Sequence, residues 1–176
     1  MSKLMDCYMH KRKHVIAVIL ENEAGALSRV IGLFSQRGYN IDSLTVSTTQ
    51  DPTLSRITLV TQATDVEAEQ ITKQLHKLIP VLKVKDLVKT SHIEREMILI
   101  KCRADSEVQR NELKRLADIF AGRIVDLTTS SYIIELVAKS STIDAFIEAV
   151  DKMNILEMVR SGITGIARGS RGIALQ

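Results

Sequence analysis

The sequence predicts an α+β chain built from two successive βαββαβ units. Three observations carry that prediction. Strand-like and helix-like apolar periods alternate in that order, the order recurs after a polar break at Thr90-Ser91-His92, and 45% of the 176 residues are hydrophobic, enough for packed cores.

His14–Leu20 is apolar on both alternating faces, Val15, Ala17 and Ile19 on one and Ile16, Val18 and Leu20 on the other, so it predicts a central strand covered on both sides. Leu27, Val30, Ile31 and Phe34 then fall at helical spacing, and Gly38 supplies a residue that tolerates the left-handed conformation at the helix end. Asn40–Thr48 and Leu54–Thr61 alternate as two strands around the turn residues Gln50-Asp51-Pro52-Thr53. Thr64 with Glu67 predicts a capping box ahead of a helix whose stripe is Ala68, Ile71, Leu75 and Leu78; Pro80 stops it, and Val81–Val88 is a fourth strand.

The same order follows the break. Met97–Arg103 is a strand, Ser106 with Gln109 caps a helix carrying Leu113, Leu116, Ala117 and Phe120, and Gly122 ends it. Arg123–Leu127 and Tyr132–Ala138 flank a Thr-Thr-Ser-Ser turn. Ile143, Phe146, Ile147 and Val150 mark a further helix, and Ile155–Val159 a last strand. The reading is two ferredoxin-like domains, over 13–90 and 93–176.

Composition excludes several function classes. Lys plus Arg number 24 against 21 Asp plus Glu, and the net charge of +3 names no acidic partner. Aromatics are 3% with no Trp, which argues against a nucleic-acid reader that stacks bases. Cys7 and Cys102 make neither a disulfide framework nor a zinc spacing, and Cys102 reads as a small buried hydrophobe on a strand. His10, His14, His76 and His92 lack metal-spaced partners or a nucleophile to activate, and no Walker A or G-x-G-x-x-G motif occurs, so no metal, cofactor or catalytic residue is assigned to this chain. No apolar run has the length of a signal peptide or of the roughly 20 residues that span a bilayer, so a cytoplasmic, membrane-free setting is expected, with the basic arm around His10–Lys13 solvated.

The informative constellation is Asn22-Glu23-Ala24-Gly25-Ala26-Leu27, where a buried strand turns into a helix. The first N–H groups of a helix have no internal partner and carry the positive dipole end, so they attract a carboxylate. Gly25 leaves room for close approach, Asn22 offers a donor and an acceptor, and Asn40 supplies a second amide. Together they can hold an α-carboxylate and an α-ammonium, with aliphatic neighbours for a branched side chain. The same residues also fit a purely structural role: Asn22 as a helix cap, Gly25 as a turn residue, Asn40 in a left-handed position after Gly38. The equivalent corner of the second unit, Arg103-Ala104-Asp105-Ser106, carries ordinary capping and no glycine. The basic, glycine-rich run Arg160–Gly172 reads either as a frayed end or as a segment that orders on a partner protein.

LENEAGALSRVIGLFSQRGYNIDSLTV, from Leu20 to Val46, closely resembles the ACT domain of acetohydroxyacid synthase small subunits; DPTLSRITLV, REMILIK and the closing RSGITGIARG resemble the same family, so that the similarity covers roughly Lys13 to Gly172. The resemblance implies an ACT domain followed by a second ferredoxin-like domain, a homodimer through the ACT domains, and a non-catalytic subunit. Such a subunit activates a catalytic large subunit, which carries thiamine diphosphate, Mg²⁺ and usually FAD. It also implies feedback inhibition by valine in branched-chain amino-acid biosynthesis, with an effector site at Asn22, Gly25, Ala26, Leu27, Asn40 and Ile41. Ser47 stands where some members carry Ala. A free-standing ACT sensor for another enzyme is the alternative that shares fold and ligand class.

Overall fold

The structure, a computed structural model, describes residues 10–150, 155–170, 172 and 173. The chain forms two compact units. Of the described residues, one unit comprises those up to Ile93 together with those from Ile163 onward; the other comprises those between Glu94 and Gly162. The sequence reading placed everything after 93 in the second domain, whereas the last segment packs on the first unit.

In the first unit, β1 (Arg12–Glu21), α1 (Ala26–Arg37), β2 (Ser43–Thr48), β3 (Leu54–Ala63), α2 (Asp65–Leu75) and β4 (Val81–Asp86) follow the predicted order. The antiparallel sheet runs β2-β3-β1-β4, with β1 paired to β3 from Arg12↔Ala63 to Glu21↔Leu54. Ile16, Val18 and Leu20 face the helices and meet Val30, Phe34, Ile57, Leu59, Ile71 and Leu75 in one core. Each such side chain taken fully from water contributes roughly 1.5–3 kcal/mol. Gly38 ends α1 at φ 67, and the N–H of Tyr39 donates to the Phe34 carbonyl at 3.0 Å. Thr64 and Glu67 form the reciprocal box at the start of α2. The Thr64 N–H holds the Glu67 carboxyl below its ordinary value, so the box contributes fully above the unfolded carboxyl's pKa and is lost as pH falls through the lowered one.

The other face of this sheet is closed by the chain's own last segment. Val15, Ala17, Ile19 and Val60 pack with Leu87, Ile163 and Ile173. Polar contacts hold the segment in place. Arg56 Nη2 donates to the Gly165 carbonyl at 2.6 Å, Thr45 Oγ1 donates to the Ile163 carbonyl at 3.3 Å, and Ser43 Oγ accepts from the Ile163 N–H at 3.4 Å. Burial draws the Arg56 guanidinium below the ordinary arginine value. Around Thr164–Ala167 the fit is tight: a Cβ on Gly165 would lie 2.7 Å from Leu87 Cδ1. From Ile163 on, the described part of the run that reads as frayed or partner-bound is therefore a third layer of the first unit.

The basic arm enters β1 rather than standing free. Arg12 pairs with Asp65 at 2.6 Å. His14 is fully buried, its Nδ1 2.9 Å from Asp86 Oδ2.

In the second unit, β5 (His92–Arg103, reaching back across the expected linker), α3 (Glu107–Ile119), β6 (Arg123–Leu127), β7 (Ser131–Ala138), α4 (Ser140–Ala149) and β8 (Ile155–Arg160) repeat the order, with the strand sequence β6-β7-β5-β8. Ile98, Ile100 and Cys102 pack with Leu113, Leu116, Ile134, Leu136, Ile143 and Phe146. Burial pushes the Cys102 thiol up to about 11, so it stays protonated and acts as an apolar filler. Arg160, which read as part of the basic tail, forks onto buried Glu96 at 2.8 and 2.7 Å and reaches Asp144 at 2.8 Å; the bonds to Glu96 hold its guanidinium above the ordinary arginine value. Ser106 and Gln109 form the predicted box on α3.

The end of α3 differs in detail from the expectation. Ala121, not Gly122, takes the left-handed position, at φ 57. Gly122 is required instead for close packing, since a Cβ there would lie 3.1 Å from the Glu135 carbonyl. Ala121→Gly is accordingly expected to raise stability by about 0.5–1 kcal/mol, and Gly165→Ala to lower it by about 1–3 kcal/mol through overpacking against Leu87. Urea unfolding of the two variants beside the parent chain measures both; a stabilised Gly165→Ala chain would contradict the tight seating of the last segment.

Candidate functional site

The site grows out of the end of β1. That strand stops at Glu21, whose N–H donates to the Pro80 carbonyl at 2.8 Å, and the chain turns through Asn22–Gly25 into α1. Gly25 is the residue ahead of the helix, at φ 87, a conformation that costs glycine little and a side-chain-bearing residue much more. No side chain caps this helix start, and its first turn contains no acidic residue. The contrast with α2 and α3, each closed by a reciprocal box, is direct. Nothing lies within 4 Å of where a Gly25 Cβ would stand, so the glycine meets a backbone requirement; of the first helical N–H groups, that of Ala26 turns back onto the Glu23 carbonyl at 3.3 Å. An uncrowded, positive helix end of this kind suits a carboxylate.

Asn22 does not cap the helix. Its Nδ2 donates to the Pro52 carbonyl at 2.9 Å, its Oδ1 accepts from Ser55 Oγ at 3.0 Å, and its N–H donates to the Thr53 carbonyl at 2.7 Å. It therefore ties the corner to the β2–β3 turn, which Asp51 braces by accepting from the Thr53 hydroxyl at 2.6 Å and the Thr53 N–H at 2.9 Å; those two bonds hold the Asp51 carboxyl below its ordinary value. One amide hydrogen and one oxygen lone pair of Asn22 are left for another group. Ala26 is buried, and Leu27 packs partly against the core, giving an apolar wall beside the glycine.

Asn40 and Ile41 lie elsewhere. They follow the far end of α1, whose twelve residues span about 18 Å at ~1.5 Å each. The sheet gives the same answer. The Asn40 carbonyl accepts from Thr61 Oγ1 at 2.6 Å, and Thr61 sits opposite His14, whereas Leu54 sits opposite Glu21 at the other end of the paired strands. Asn40 Nδ2 donates to Asp42 Oδ1 at 2.8 Å, and Ile41 packs against the core. The six sequence-predicted residues thus form two clusters, one with Asn22, Gly25, Ala26 and Leu27 and one with Asn40 and Ile41, too far apart to grip one amino acid within a single chain. Ser47 lies in the exposed second half of β2.

The role of the Pro52–Ser55 turn escaped the sequence reading because its partner, Asn22, is some thirty residues away in the chain and has no local signature. No group of three His, Cys, Asp or Glu among the described residues is arranged to hold a metal ion. No helix among them is long and apolar enough to cross a membrane. Cys7 lies outside the described residues.

Removal of the Asn22 amide leaves the nearly buried Ser55 hydroxyl without its acceptor. Asn22→Ala should therefore cost about 1–2 kcal/mol of stability. Denaturant titration checks the cost, and amide exchange at Thr53 and Ser55 shows whether the loosening is local to the turn; unchanged stability would mean the tether is ornamental.

Comparison with known proteins agrees along both units. Residues 16–83 match the family model for the AHAS small subunit-like ACT domain, and residues 95–169 that for the small subunit of acetolactate synthase. The chain is 51% identical over 160 residues to the acetolactate synthase isozyme 3 small subunit of Escherichia coli strain K12, covering 90% of this chain and 98% of that one. It is 52% identical over 162 residues to the acetolactate synthase small subunit of Haemophilus influenzae, covering 92% and 99%. The crystal structure of the acetolactate synthase small subunit from Thermotoga maritima superposes with a TM-score of 0.83 at 36% identity, over 91% of this chain and 99% of that one.

Proposed function

Because the chain belongs to the acetolactate synthase small-subunit family, we propose that it is a regulatory subunit that activates a separate catalytic large subunit and confers feedback inhibition by valine. In this reading branched-chain amino-acid synthesis is its setting, the cytoplasm its compartment, and thiamine diphosphate, Mg²⁺ and FAD reside on the catalytic partner. Sensing is assigned to the first domain, 13–90.

The observation that carries the effector assignment is the uncapped start of α1 behind Gly25. The positive dipole end of this helix start favours a carboxylate, Asn22 carries a spare donor and acceptor at the same corner, and Leu27 offers apolar contact. The separation of Asn40 and Ile41 from that corner supports a homodimer through the first domains. Two copies related by a twofold axis, with their α1 helices antiparallel, bring the Asn40 end of one against the Gly25 end of the other. Each ligand is then shared by two chains, and effector binding and pairing are thermodynamically linked.

The magnitudes are consistent with feedback. A metabolite sensed at around 0.1–1 mM needs roughly −4 to −5.5 kcal/mol of binding free energy. Two or three hydrogen bonds to a charged ligand, at about 1.5–3 kcal/mol each, supply this once ordering costs are subtracted. A coupling of about 1–3 kcal/mol between effector and catalytic states then gives severalfold to a hundredfold control.

Gly25→Asp is the decisive variant. Aspartate tolerates φ 87 better than most side chains, so the fold is kept, while its carboxylate meets the ligand's own at the helix end. Activation of the catalytic subunit is expected to persist with valine inhibition abolished. Valine titration of the reconstituted enzyme is the measurement, and an inhibition curve unchanged from the parent would remove Gly25 from the site.

A further inference from the structure

A second surface of the first unit has no assigned role. A cleft of about 490 Å³ runs between α1 and α2, lined among others by Arg29, Gly32, Leu33, Arg37, Lys77 and Leu78, with no carboxylate among its lining residues. Among the described residues, Arg37 and Lys77 have no ion-pair partner, and Arg29 pairs with Glu23 at 3.5 Å between exposed groups. Leu33 and Leu78 form a half-buried apolar floor, and in the turn just past Leu78 the side chain of Ile79 is 86% exposed.

Gly32 adds an independent signal. It sits in the middle of α1, where glycine is the weakest helix former after proline. Its φ is ordinary for a helix, and nothing lies within 4 Å of where its Cβ would be, so neither backbone strain nor packing within the chain asks for glycine. The missing side chain serves only to deepen the cleft.

We propose that this cleft is a docking surface for the catalytic partner, seating a segment of it in which an apolar side chain is flanked by carboxylates. The inference rests on the regulatory-subunit reading. Charge complementarity selects the occupant: a rim of cations without acids, around an apolar floor, matches an acidic segment with an aliphatic anchor. A nucleotide is a poorer match, because no aromatic ring lines the cleft to stack a base. A second copy docked through the same cleft is poorer still, because a twofold contact would set Arg37 and Lys77 against their own counterparts.

The test measures association of the full-length chain with the catalytic large subunit by titration calorimetry, at low and high salt. The variants are Arg37→Glu combined with Lys77→Glu, and Gly32→Leu, which fills the floor without meeting any neighbour in the chain. Each is expected to weaken association at least tenfold. The parent should lose affinity as salt rises, the charge-reversed chain should not, and melting temperature and self-association should match the parent. Variants that bind within twofold of the parent overturn the docking surface while leaving the regulatory reading intact. So does loss of self-association with partner binding unchanged, which would assign the cleft to a contact between copies. A parent chain that does not associate with the large subunit at all overturns both.

Discussion

The first unit is organised by the burial of a single strand on both sides. From Val15 to Leu20 no residue of β1 is more than 4% exposed. One apolar face is met by the helices in the usual way. The other needs a cover that the βαββαβ plan does not include, and the chain supplies it by returning from the second unit. Arg56, Thr45 and Ser43 fasten that cover through backbone groups, so its placement depends on two strands rather than on one contact. The last segment consequently lies against β2, the strand that begins three residues after Asn40.

Much of this was readable in advance because the decisive signals are local. Both capping boxes, the left-handed stop at Gly38 and the order of all eight main strands follow from spacings of two to four residues. Even the double-sided burial of β1 was visible as two apolar faces. What covers the second face was not, since Ile163 and Ile173 carry no mark that distinguishes a docked tail from a frayed one. The same limit explains the other departures. His14 reads only as the first residue of a strand, with no partner in view, until Asp86 is placed beside it by the pairing of β1 with β4. Arg160 reads as a tail cation until the sheet sets it against Glu96. Ala121 holds a position that local preference assigns to its neighbour, because close approach to β7 claims the glycine first.

The candidate site was legible in its chemistry and not in its geometry. Residue types around Gly25 announce an anion-seeking helix start, and the structure keeps that start uncapped. The distance between the Gly25 and Asn40 clusters follows only from the run of α1 along the sheet. A twelve-residue helix between the two halves of the candidate site turns a list of candidate residues into an argument about pairing. Asn22 shows a related economy: the amide that faces the corner also anchors the turn at Pro52–Ser55, so whatever engages it acts on that turn as well.

The return of the last segment also bears on how the protein is made. Residues from Ile163 onward leave the ribosome only after the whole second unit, yet they complete the layer over β1. The first unit therefore emerges early with Val15, Ala17 and Ile19 uncovered and must wait for contacts spanning most of the chain, the kind that form late and leave apolar surface open meanwhile. A translation product cut short within the second unit would keep that face bare, giving a cell's quality control a ready mark by which to tell an unfinished chain from a finished one.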